Sequence, residues 1–320
     1  MPHPFLDIGA QLGMTEAGVI AMLGQFIASG KVSRVGAAFV PGRIGAATLA
    51  TLAVPEERLL EVAEMVSAYS EVNHNYQREH LFNLWFVVTG PDRHHVDGVV
   101  REIGRMAGCG RALSLPMVEP YHADLGFNIS GGRPSGNERR TCLRNRRGAA
   151  PVALNARERA LVAALQEGLP LVTHPYAELG RCAGLSESMV ISRLAHWLEK
   201  RIVNRLGVIV RHHELGFSAN AMVVWDVPDT AARAVGLRVA AEDCVTLCYR
   251  RLRCLPEWRY NLYCMIHGVS RDTVRTQIEE LAARCGLGAY PREILFSRRR
   301  FKQRGARYVE RGDSWMTSTA

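Results

Sequence analysis

The strongest constraint on the fold is an internal repeat, because both copies must form the same structure from the same pattern of residues. Segment 4–36 aligns without gaps with segment 175–207, and ten positions are identical, Arg34 and Arg205 among them. Segment 128–150, whose first half is rich in Gly, Pro and Ser, separates the copies and is typical of a flexible linker. The chain is therefore expected to fold as two copies of one unit.

Each copy is predicted to begin with a winged helix-turn-helix. In the second copy, segment 156–166 is apolar at helical spacing, a short helix 176–183 follows, and Ser186 caps a helix that runs to about residue 200. Segment 201–210 is predicted to form a hairpin wing. The first copy begins past the position of the first helix, so we expect that helix to be missing there. A misassigned start codon is the simpler explanation, and genuine loss is the alternative.

A different module follows each winged helix. Its strands, helices and turns occur in the order βαββαβ, which predicts a ferredoxin-like α+β sandwich in both copies. The expected domains are a winged helix-turn-helix at 1–43, a ferredoxin-like domain at 44–127, a basic linker at 128–150, a second winged helix-turn-helix at 151–215, a second ferredoxin-like domain at 216–311 and a tail at 312–320.

Positive charge is concentrated in two segments of a chain whose formal net charge is +9. Residues 128–150 and residues 297–311 each hold six Arg, whereas the remainder is close to neutral. Such segments can bind nucleic acid. The alternative is a solvated linker and a solvated tail.

Composition excludes several classes of protein. Hydrophobic residues make up 48% and charged residues 22%, as in ordinary globular proteins, and no apolar run approaches the roughly 20 residues that span a bilayer. The N-terminus has no signal-peptide pattern, so a cytoplasmic location is expected. The eight Cys form no C-x-x-C pair and are expected to be reduced thiols.

One predicted strand of the first copy carries a polar face. Alternation places Val72, His74, Tyr76 and Arg78 on the same side. Arg binds carboxylates through two parallel hydrogen bonds, and His can transfer a proton near neutral pH. This face therefore indicates a site for a carboxylated ligand, unless it is a solvent-facing strand with incidental polar groups.

The matching strand of the second copy has Leu247 where the first has His74, but it keeps the other two residues as Tyr249 and Arg251. Nearby stand Arg250, Arg253, Arg259, Trp258, Tyr260 and Tyr263. Several guanidinium groups among aromatic rings favour a large, flat, polyanionic ligand. An ordinary sheet with a charged hairpin is the alternative.

Other candidate sites are weaker. His122 follows the last strand of the first copy and His267 ends a strand of the second, but a lone His is more often structural than catalytic. A DNA-reading helix needs basic and amide side chains. The helix that begins near Thr15 has no base, and its counterpart offers Ser192 and Arg193, so DNA is not expected to be the main ligand.

Five strings of the sequence resemble those of the siroheme decarboxylases, which share the architecture of AsnC/Lrp regulators. They are the strings at 74–80, 83–86, 121–127, 247–251 and 258–268. The likeness covers nearly the whole chain. In particular, the chain resembles the fused form of the decarboxylase found in denitrifiers, in which two homologous subunits are joined. It implies that the two ligand domains pack together as an intramolecular pseudo-dimer.

The resemblance also implies a reaction and a site. Siroheme loses CO2 from its acetate side chains on rings C and D, which gives 12,18-didecarboxysiroheme on the route to haem d1 or haem. His74 is the leading proton donor and could instead ligate the iron of the substrate, and His122 is the second candidate. The expected carboxylate-binding residues are Arg78, Arg250 and Arg251, and the residues expected to line the macrocycle are Tyr76, Tyr249, Trp258 and Tyr260.

Because Leu247 replaces a His, one productive pocket per chain is expected. No cofactor is expected beyond the iron in the substrate, and homologous decarboxylase subunits are possible partners. Neither a membrane nor nucleic acid is an expected partner. The competing hypotheses are an AsnC/Lrp-type regulator that senses a ligand and a tetrapyrrole carrier without chemistry.

Overall fold

Helices and strands follow the predicted order along the chain in the computed structural model, which describes residues 2–40, 42–123, 151–210 and 219–309. The helices are α1 (Pro4–Leu12), α2 (Glu16–Ala28), α3 (Leu59–Ala68), α4 (Arg93–Ala107), α5 (Ala156–Glu167), α6 (Pro175–Ala183), α7 (Glu187–Glu199), α8 (Asp229–Ala240) and α9 (Arg271–Arg284). The strands are β1 (Val32–Phe39), β2 (Ala46–Leu52), β3 (Val72–Arg78), β4 (Leu84–Gly90), β5 (Leu113–Ala123), β6 (Val203–Val210), β7 (Ala219–Trp225), β8 (Val245–Arg251), β9 (Leu262–Gly268) and β10 (Arg292–Gln303).

Short-range signals determine where the winged-helix helices begin and end. The Thr15 side chain accepts a hydrogen bond from the backbone N–H of Gly18, which starts α2. Ser186 caps α7 in the same way, as the sequence predicts. Helix α1 ends at Gly13, whose φ of 66° lies in the left-handed region that glycine adopts without strain.

The wing differs from the prediction. Instead of a hairpin over 201–210, residues 203–210 form the single strand β6, which pairs in antiparallel fashion with β1 of the first copy. Gly36 lies directly opposite Gly207. Each wing strand therefore finds its hydrogen-bonding partner in the other copy, and the two winged helices share one core.

The described residues of the first copy include no counterpart of α5. Helix α5 packs against α6 and buries Leu179 to 2% exposure, whereas the matching Ile8 of α1 is 37% exposed. Likewise Trp197 of α7 is 1% exposed and Phe26 of α2 is 38% exposed. Among the described residues, the first winged helix therefore has an apolar face that is more exposed than its counterpart in the second.

The two ferredoxin-like sheets join into one closed, eight-stranded barrel. Its strand order is β10-β3-β4-β2-β5-β8-β9-β7, and every neighbouring pair is antiparallel. Two seams, β3 with β10 and β5 with β8, join the copies. The matching strands β3 and β8 are four strands apart, so they run in the same direction on opposite walls. This arrangement is the expected intramolecular pseudo-dimer.

Helices cover the outside of the barrel, and apolar side chains fill much of its inside. Helices α3 and α4 cover the first sheet, and α8 and α9 cover the second. The interior cluster consists of Trp85, Leu113, Leu115, Met222, Val224, Trp258, Tyr263 and Leu295. No helix among the described residues is long and apolar enough to cross a membrane.

Much of the basic C-terminal segment is part of the sheet. Residues 297–303 of β10 pair with β3, so the solvated tail considered from the sequence is wrong for this part of the chain. The linker 128–150 lies outside the described residues. The seven described cysteines form no disulfide with one another, and Cys142 lies outside the described ranges.

A contact between α8 and β5 leads to the first prediction. A Cβ atom on Gly236 would overlap the ring of Tyr121, which is 2% exposed and has no room to move. Replacing Gly236 by Ala should therefore lower the free energy of unfolding by about 1–3 kcal/mol, measured by denaturant unfolding.

Gly98 in α4 provides the matched control. A Cβ atom there would meet only the flexible end of Arg101, at 4.0 Å. Replacing Gly98 by Ala should raise the free energy of unfolding by roughly 0.5–1 kcal/mol, because Ala has the higher helix propensity. Equal effects of the two substitutions would contradict the tight contact at Gly236.

Candidate active site

A β-bulge orients the polar residues of β3. Asn73 is the extra residue, because Val72 lies opposite Val88 while His74 lies opposite Val87. Val72 consequently packs in the helix-facing core, so the prediction that it shares a face with His74 is wrong. The other three predicted residues do share one face, which is turned to the barrel interior.

His74 is held in one orientation by its neighbour. Its Nδ1 lies 3.0 Å from Oδ1 of Asn73, an oxygen that can only accept, so Nδ1 donates and Nε2 carries the lone pair. The imidazole stacks on Tyr76 with a ring-centroid distance of 6.3 Å. Burial lowers the pKa of His74 to about 4, and the positive charge of Arg34 lowers it as well. The ring is therefore neutral at pH 7.

Arg78 is a buried cation. Its guanidinium lies 5.9 Å from the ring centre of Tyr76 and donates a 3.0 Å hydrogen bond to the carbonyl oxygen of Leu295. Burial lowers the pKa of Arg78 to about 10, which leaves it charged at neutral pH. Within the described ranges it has no carboxylate partner.

The second copy repeats this arrangement on the opposite wall. Arg251 donates a 2.9 Å hydrogen bond to the carbonyl oxygen of Leu115, and its guanidinium lies 5.6 Å from the ring centres of both Tyr249 and Tyr263. Burial lowers its pKa, and no carboxylate among the described residues pairs with it. The two arginines also bridge the seams, since each bonds to the last strand of the other copy.

The two walls differ in polarity. Arg300 and Ser297 of β10 lie opposite Tyr76 and Arg78. On the other wall, Pro120 and Met117 of β5 occupy the corresponding positions opposite Tyr249 and Arg251. Together with Leu247 in place of a His, this makes the β3 wall the more polar and more basic of the two.

Trp258 and Tyr260 lie in the connection between β8 and β9. Trp258 is 1% exposed, donates a 2.6 Å hydrogen bond to the hydroxyl of Tyr263, and packs edge-on against Trp85 at 5.1 Å. Tyr260 contacts Trp258 at 5.0 Å. The structure therefore places both residues in the interior cluster near the Arg78 end of β3, because Trp85 lies opposite Tyr76.

The structure does not place Arg250 and His122 on the β3 wall. Arg250 points to the helix side of β8, where its Nη2 donates a 2.9 Å hydrogen bond to Asp229. His122 is buried on β5 opposite Cys248, which also packs on the helix side, and β5 is three strands from β3. His267, on β9, lies with its Nδ1 2.9 Å from the hydroxyl of Thr246.

Basic residues near His74 were not predicted as site residues. Arg34 of β1 lies close enough for its charge to act on His74, and β10 places Gln303 opposite His74 and Arg300 opposite Tyr76. The identity of Arg34 and Arg205 within the repeat and the cluster of C-terminal Arg residues were the available signals. Neither of these two signals shows which basic residues lie near His74.

A cavity of about 170 Å³ lies between the first ferredoxin-like domain and α5. Its lining includes Glu71, His95, Glu167 and Arg307, of which His95 bonds to Glu71 at 3.1 Å and Arg307 to Glu167 at 2.7 Å. Ligand pockets generally measure about 300–1,000 Å³, so this cavity is too small for a large flat ligand.

Comparison with known proteins identifies the domains. Residues 43–122 and 214–302 match the family described as AsnC-like ligand binding domain. Residues 158–203 match the family described as siroheme decarboxylase NirDL-like HTH domain. The match covers the second winged helix, the copy that has all three helices.

Whole-chain relatives agree with the domain matches. The chain is 43% identical to the siroheme decarboxylase NirDL subunit of Paracoccus denitrificans, over 97% of this chain and 93% of the relative. The crystal structure of the siroheme decarboxylase NirDL in co-complex with an iron-uroporphyrin III analogue superposes with a TM-score of 0.68 at 26% identity, over 96% of this chain and 89% of the other. The NirD subunit of Stutzerimonas stutzeri is 48% identical over 42% of this chain and 86% of its own length. The chain, which joins two homologous halves, belongs to the siroheme decarboxylase family.

Proposed function

We propose that the chain is a carboxy-lyase that removes CO2 from the two acetate side chains on rings C and D of siroheme. The product is 12,18-didecarboxysiroheme, an intermediate on the route to haem d1 or haem. This activity follows from membership of the family and from the chemistry of the barrel interior.

The observation that carries the proposal is a pair of interior arginines on opposite walls, of which Arg78 is buried and Arg251 is partly buried. A guanidinium removed from water without a counter-ion is costly, so it normally has a carboxylate partner. Arg78 and Arg251 lie instead against tyrosine rings, with no carboxylate partner among the described residues. A flat macrocycle that carries many carboxylates supplies both the missing anions and a surface for the rings.

Each round of the reaction breaks the bond between the acetate methylene carbon and its carboxylate. CO2 leaves, the electron pair stays on the methylene carbon and spreads into the macrocycle, and a proton converts that carbon to a methyl group. The step is redox-neutral, so the proposal includes no cofactor of the protein. Fixed cations orient the remaining carboxylates.

His74 is the residue that we propose to deliver the proton. Its Nδ1 is engaged by Asn73, so Nε2 is the atom that can transfer a proton. Because the ring is neutral in the substrate-free protein, it must gain a proton when the polyanion binds, and nearby negative charge favours that. The polar β3 wall is then the productive one, and Leu247 leaves the other wall without a proton donor at that position.

The winged helices offer little for reading DNA. Arg193, the basic residue of the predicted recognition surface of α7, pairs with Glu158 of α5 at 2.9 Å. Helix α2 has an acidic first turn and contains no base. The regulator hypothesis therefore receives no support from the described residues.

Anaerobic incubation of the purified chain with siroheme, followed by mass analysis of the tetrapyrrole, tests the proposal. Loss of two CO2 masses is the expected result. Loss of one indicates either that the chain needs a homologous subunit for the second round or that its second round is impaired. An unchanged mass with a shifted absorption spectrum overturns the enzyme proposal and favours a carrier. The cytoplasmic location expected from the sequence stays a prediction.

Arg250 and Arg251 should behave differently in that assay. Replacing Arg250 by Ala should leave kcat/KM within about twofold, because its guanidinium faces Asp229 on the helix side and surface pairs contribute little. Replacing Arg251 by Met should lower kcat/KM at least about tenfold, because an interior cation is lost. A larger loss for the Arg250 variant would restore the role in carboxylate binding predicted from the sequence.

A further inference from the structure

A basic side chain of the winged-helix unit lies within electrostatic range of the barrel wall. Arg34 belongs to β1, the wing strand of the first copy, yet its charge acts on His74 in the barrel wall. No winged-helix residue appears among the site residues predicted from the sequence.

Three glycines form the passage that Arg34 occupies. A Cβ atom on Gly305 would lie 2.6 Å from Cζ of Arg34 and 2.6–2.7 Å from both terminal nitrogens. A Cβ atom on Gly36 would lie 3.4 Å from its Nε, and one on Gly168 would lie 3.5 Å from its Cβ. The guanidinium therefore lies flat against backbone that only glycine leaves bare, which fixes its position.

The hydrogen-bonding capacity of Arg34 is only partly used. Its Nη2 makes a long 3.4 Å hydrogen bond to the carbonyl oxygen of Ala37, and its Nε is buried without a hydrogen-bond partner. Glu167 interacts with it electrostatically, but no ion pair joins the two among the described residues. A buried donor without an acceptor costs roughly 1–3 kcal/mol, so its retention indicates a ligand.

Among the described residues, the second copy shows no equivalent enclosure of its matching arginine. Arg205 matches Arg34 in the repeat, but a Cβ atom on Gly207, which matches Gly36, would meet nothing within 4 Å. Arg34 packs against Gly305, and the preceding Arg304 donates a 2.8 Å backbone hydrogen bond to the carbonyl oxygen of Asn73, next to His74, whereas the other wall has Leu247 in place of that histidine. The enclosed arginine and the proposed proton donor therefore belong to the same half of the site.

We propose that Arg34 binds a carboxylate on the rim of the substrate macrocycle next to His74, which makes the winged helix part of the active site. This inference rests on the proposed function. It gives the winged helix a role other than DNA binding, because its Arg34 supplies a cation that binds the substrate. The carboxylate belongs to an acetate or to a propionate side chain.

Binding of two iron porphyrins separates these sources. Iron uroporphyrin carries acetates and propionates, whereas iron coproporphyrin keeps the propionates and has methyl groups in place of the acetates. Dissociation constants are measured by absorbance titration of wild type, Arg34→Gln and the matched control Arg205→Gln. The Arg34→Gln substitution should weaken iron uroporphyrin binding by about 10-fold to 100-fold, and Arg205→Gln by less than about twofold.

The pattern of losses identifies the bound group. Weaker binding of iron uroporphyrin alone assigns Arg34 to an acetate, and equally weaker binding of both porphyrins assigns it to a propionate. In either case Arg34→Lys, which keeps the charge, should recover part of the lost affinity, whereas a purely structural defect would not be recovered. Thermal unfolding of each variant checks that the fold is retained.

Two results overturn the inference, and they are distinguishable from failure of the proposed function. If the wild type binds both porphyrins and decarboxylates siroheme, and Arg34→Gln binds both porphyrins with unchanged affinity, only the inference about Arg34 is refuted. Affinity lost equally in Arg34→Gln and Arg34→Lys makes the residue structural. If the wild type binds neither porphyrin and leaves siroheme unchanged, both the proposed decarboxylase function and the role of Arg34 are refuted.

Discussion

Replacing His74 by Gln should lower the rate of siroheme decarboxylation by about 10²-fold to 10⁴-fold, the range that a positioned general acid contributes. Gln keeps the size and a hydrogen bond to Asn73 but has no proton to transfer. Affinity for the substrate should change little, because the buried cations remain. Single-turnover rates and absorbance titrations measure the two quantities separately.

His122→Gln is the comparison for this experiment. His122 is buried on β5, three strands from β3, so its replacement should affect the rate less than that of His74. A wild-type rate in His74→Gln would remove the proposed proton donor. Loss of activity in His122→Gln together with a wild-type rate in His74→Gln would make His122 the proton donor.

The pH dependence of kcat/KM separates a proton donor from an iron ligand. The pKa of His74 in the substrate-free protein is lowered to about 4, below its ordinary value near 6.5, so the protonated form becomes scarcer as pH rises above 4. If that form is required, kcat/KM rises as pH falls from 8 towards 5. If neutral Nε2 ligates iron, kcat/KM is flat over that range and falls near pH 4. We expect the rise, and we expect it to be absent in His74→Gln.

Replacing Arg78 by Met should weaken substrate binding by roughly 30-fold to 1,000-fold and leave the fold intact. Loss of one partner of a buried charge pair costs about 2–5 kcal/mol of affinity. The unfolding free energy of the substrate-free protein should change by less than about 2 kcal/mol, because two effects oppose each other. The hydrogen bond to Leu295 is lost, but a buried charge without a carboxylate partner is removed as well.

This pair of measurements distinguishes binding from a role in the seam. Arg78 also links β3 to β10 through the Leu295 carbonyl, and its equivalent Arg251 links β8 to β5 through Leu115. If the Arg78→Met protein unfolds readily but binds the substrate normally under stabilising conditions, the arginine is a structural bridge only. Arg250→Ala, on the helix side of β8, is the control for a charge lost outside the barrel.

The sequence was most informative where the relevant pattern is local. The helix caps at Thr15 and Ser186 and the left-handed glycine at Gly13 occur where short-range hydrogen bonds dictate them. The strand β3 and the inward direction of three of its side chains also follow from alternation. The prediction from alternation was wrong for the face of Val72, because Asn73 forms a β-bulge that no residue pattern within the strand indicates.

Neighbouring residues in the sequence can also face different surroundings. Arg250 and Arg251 look equivalent as carboxylate-binding residues, yet one bonds to Asp229 beside α8 and the other lies among interior tyrosines. Alternation alone separates their faces. Which face is the interior depends on how the two sheets close, and that was not available from either half by itself.

The sequence alone determined that this protein is a repeat of two modules, where most helices and strands lie, and which residue types could bind a flat polyanion. The tertiary structure alone decided that β1 pairs with β6, that the basic β10 pairs with β3, and that the charge of Arg34 acts on His74. The physical reason is the range of the interactions. Caps and periodicity depend on residues a few positions apart, whereas strand partners are selected by the total free energy of many contacts between residues far apart in the chain.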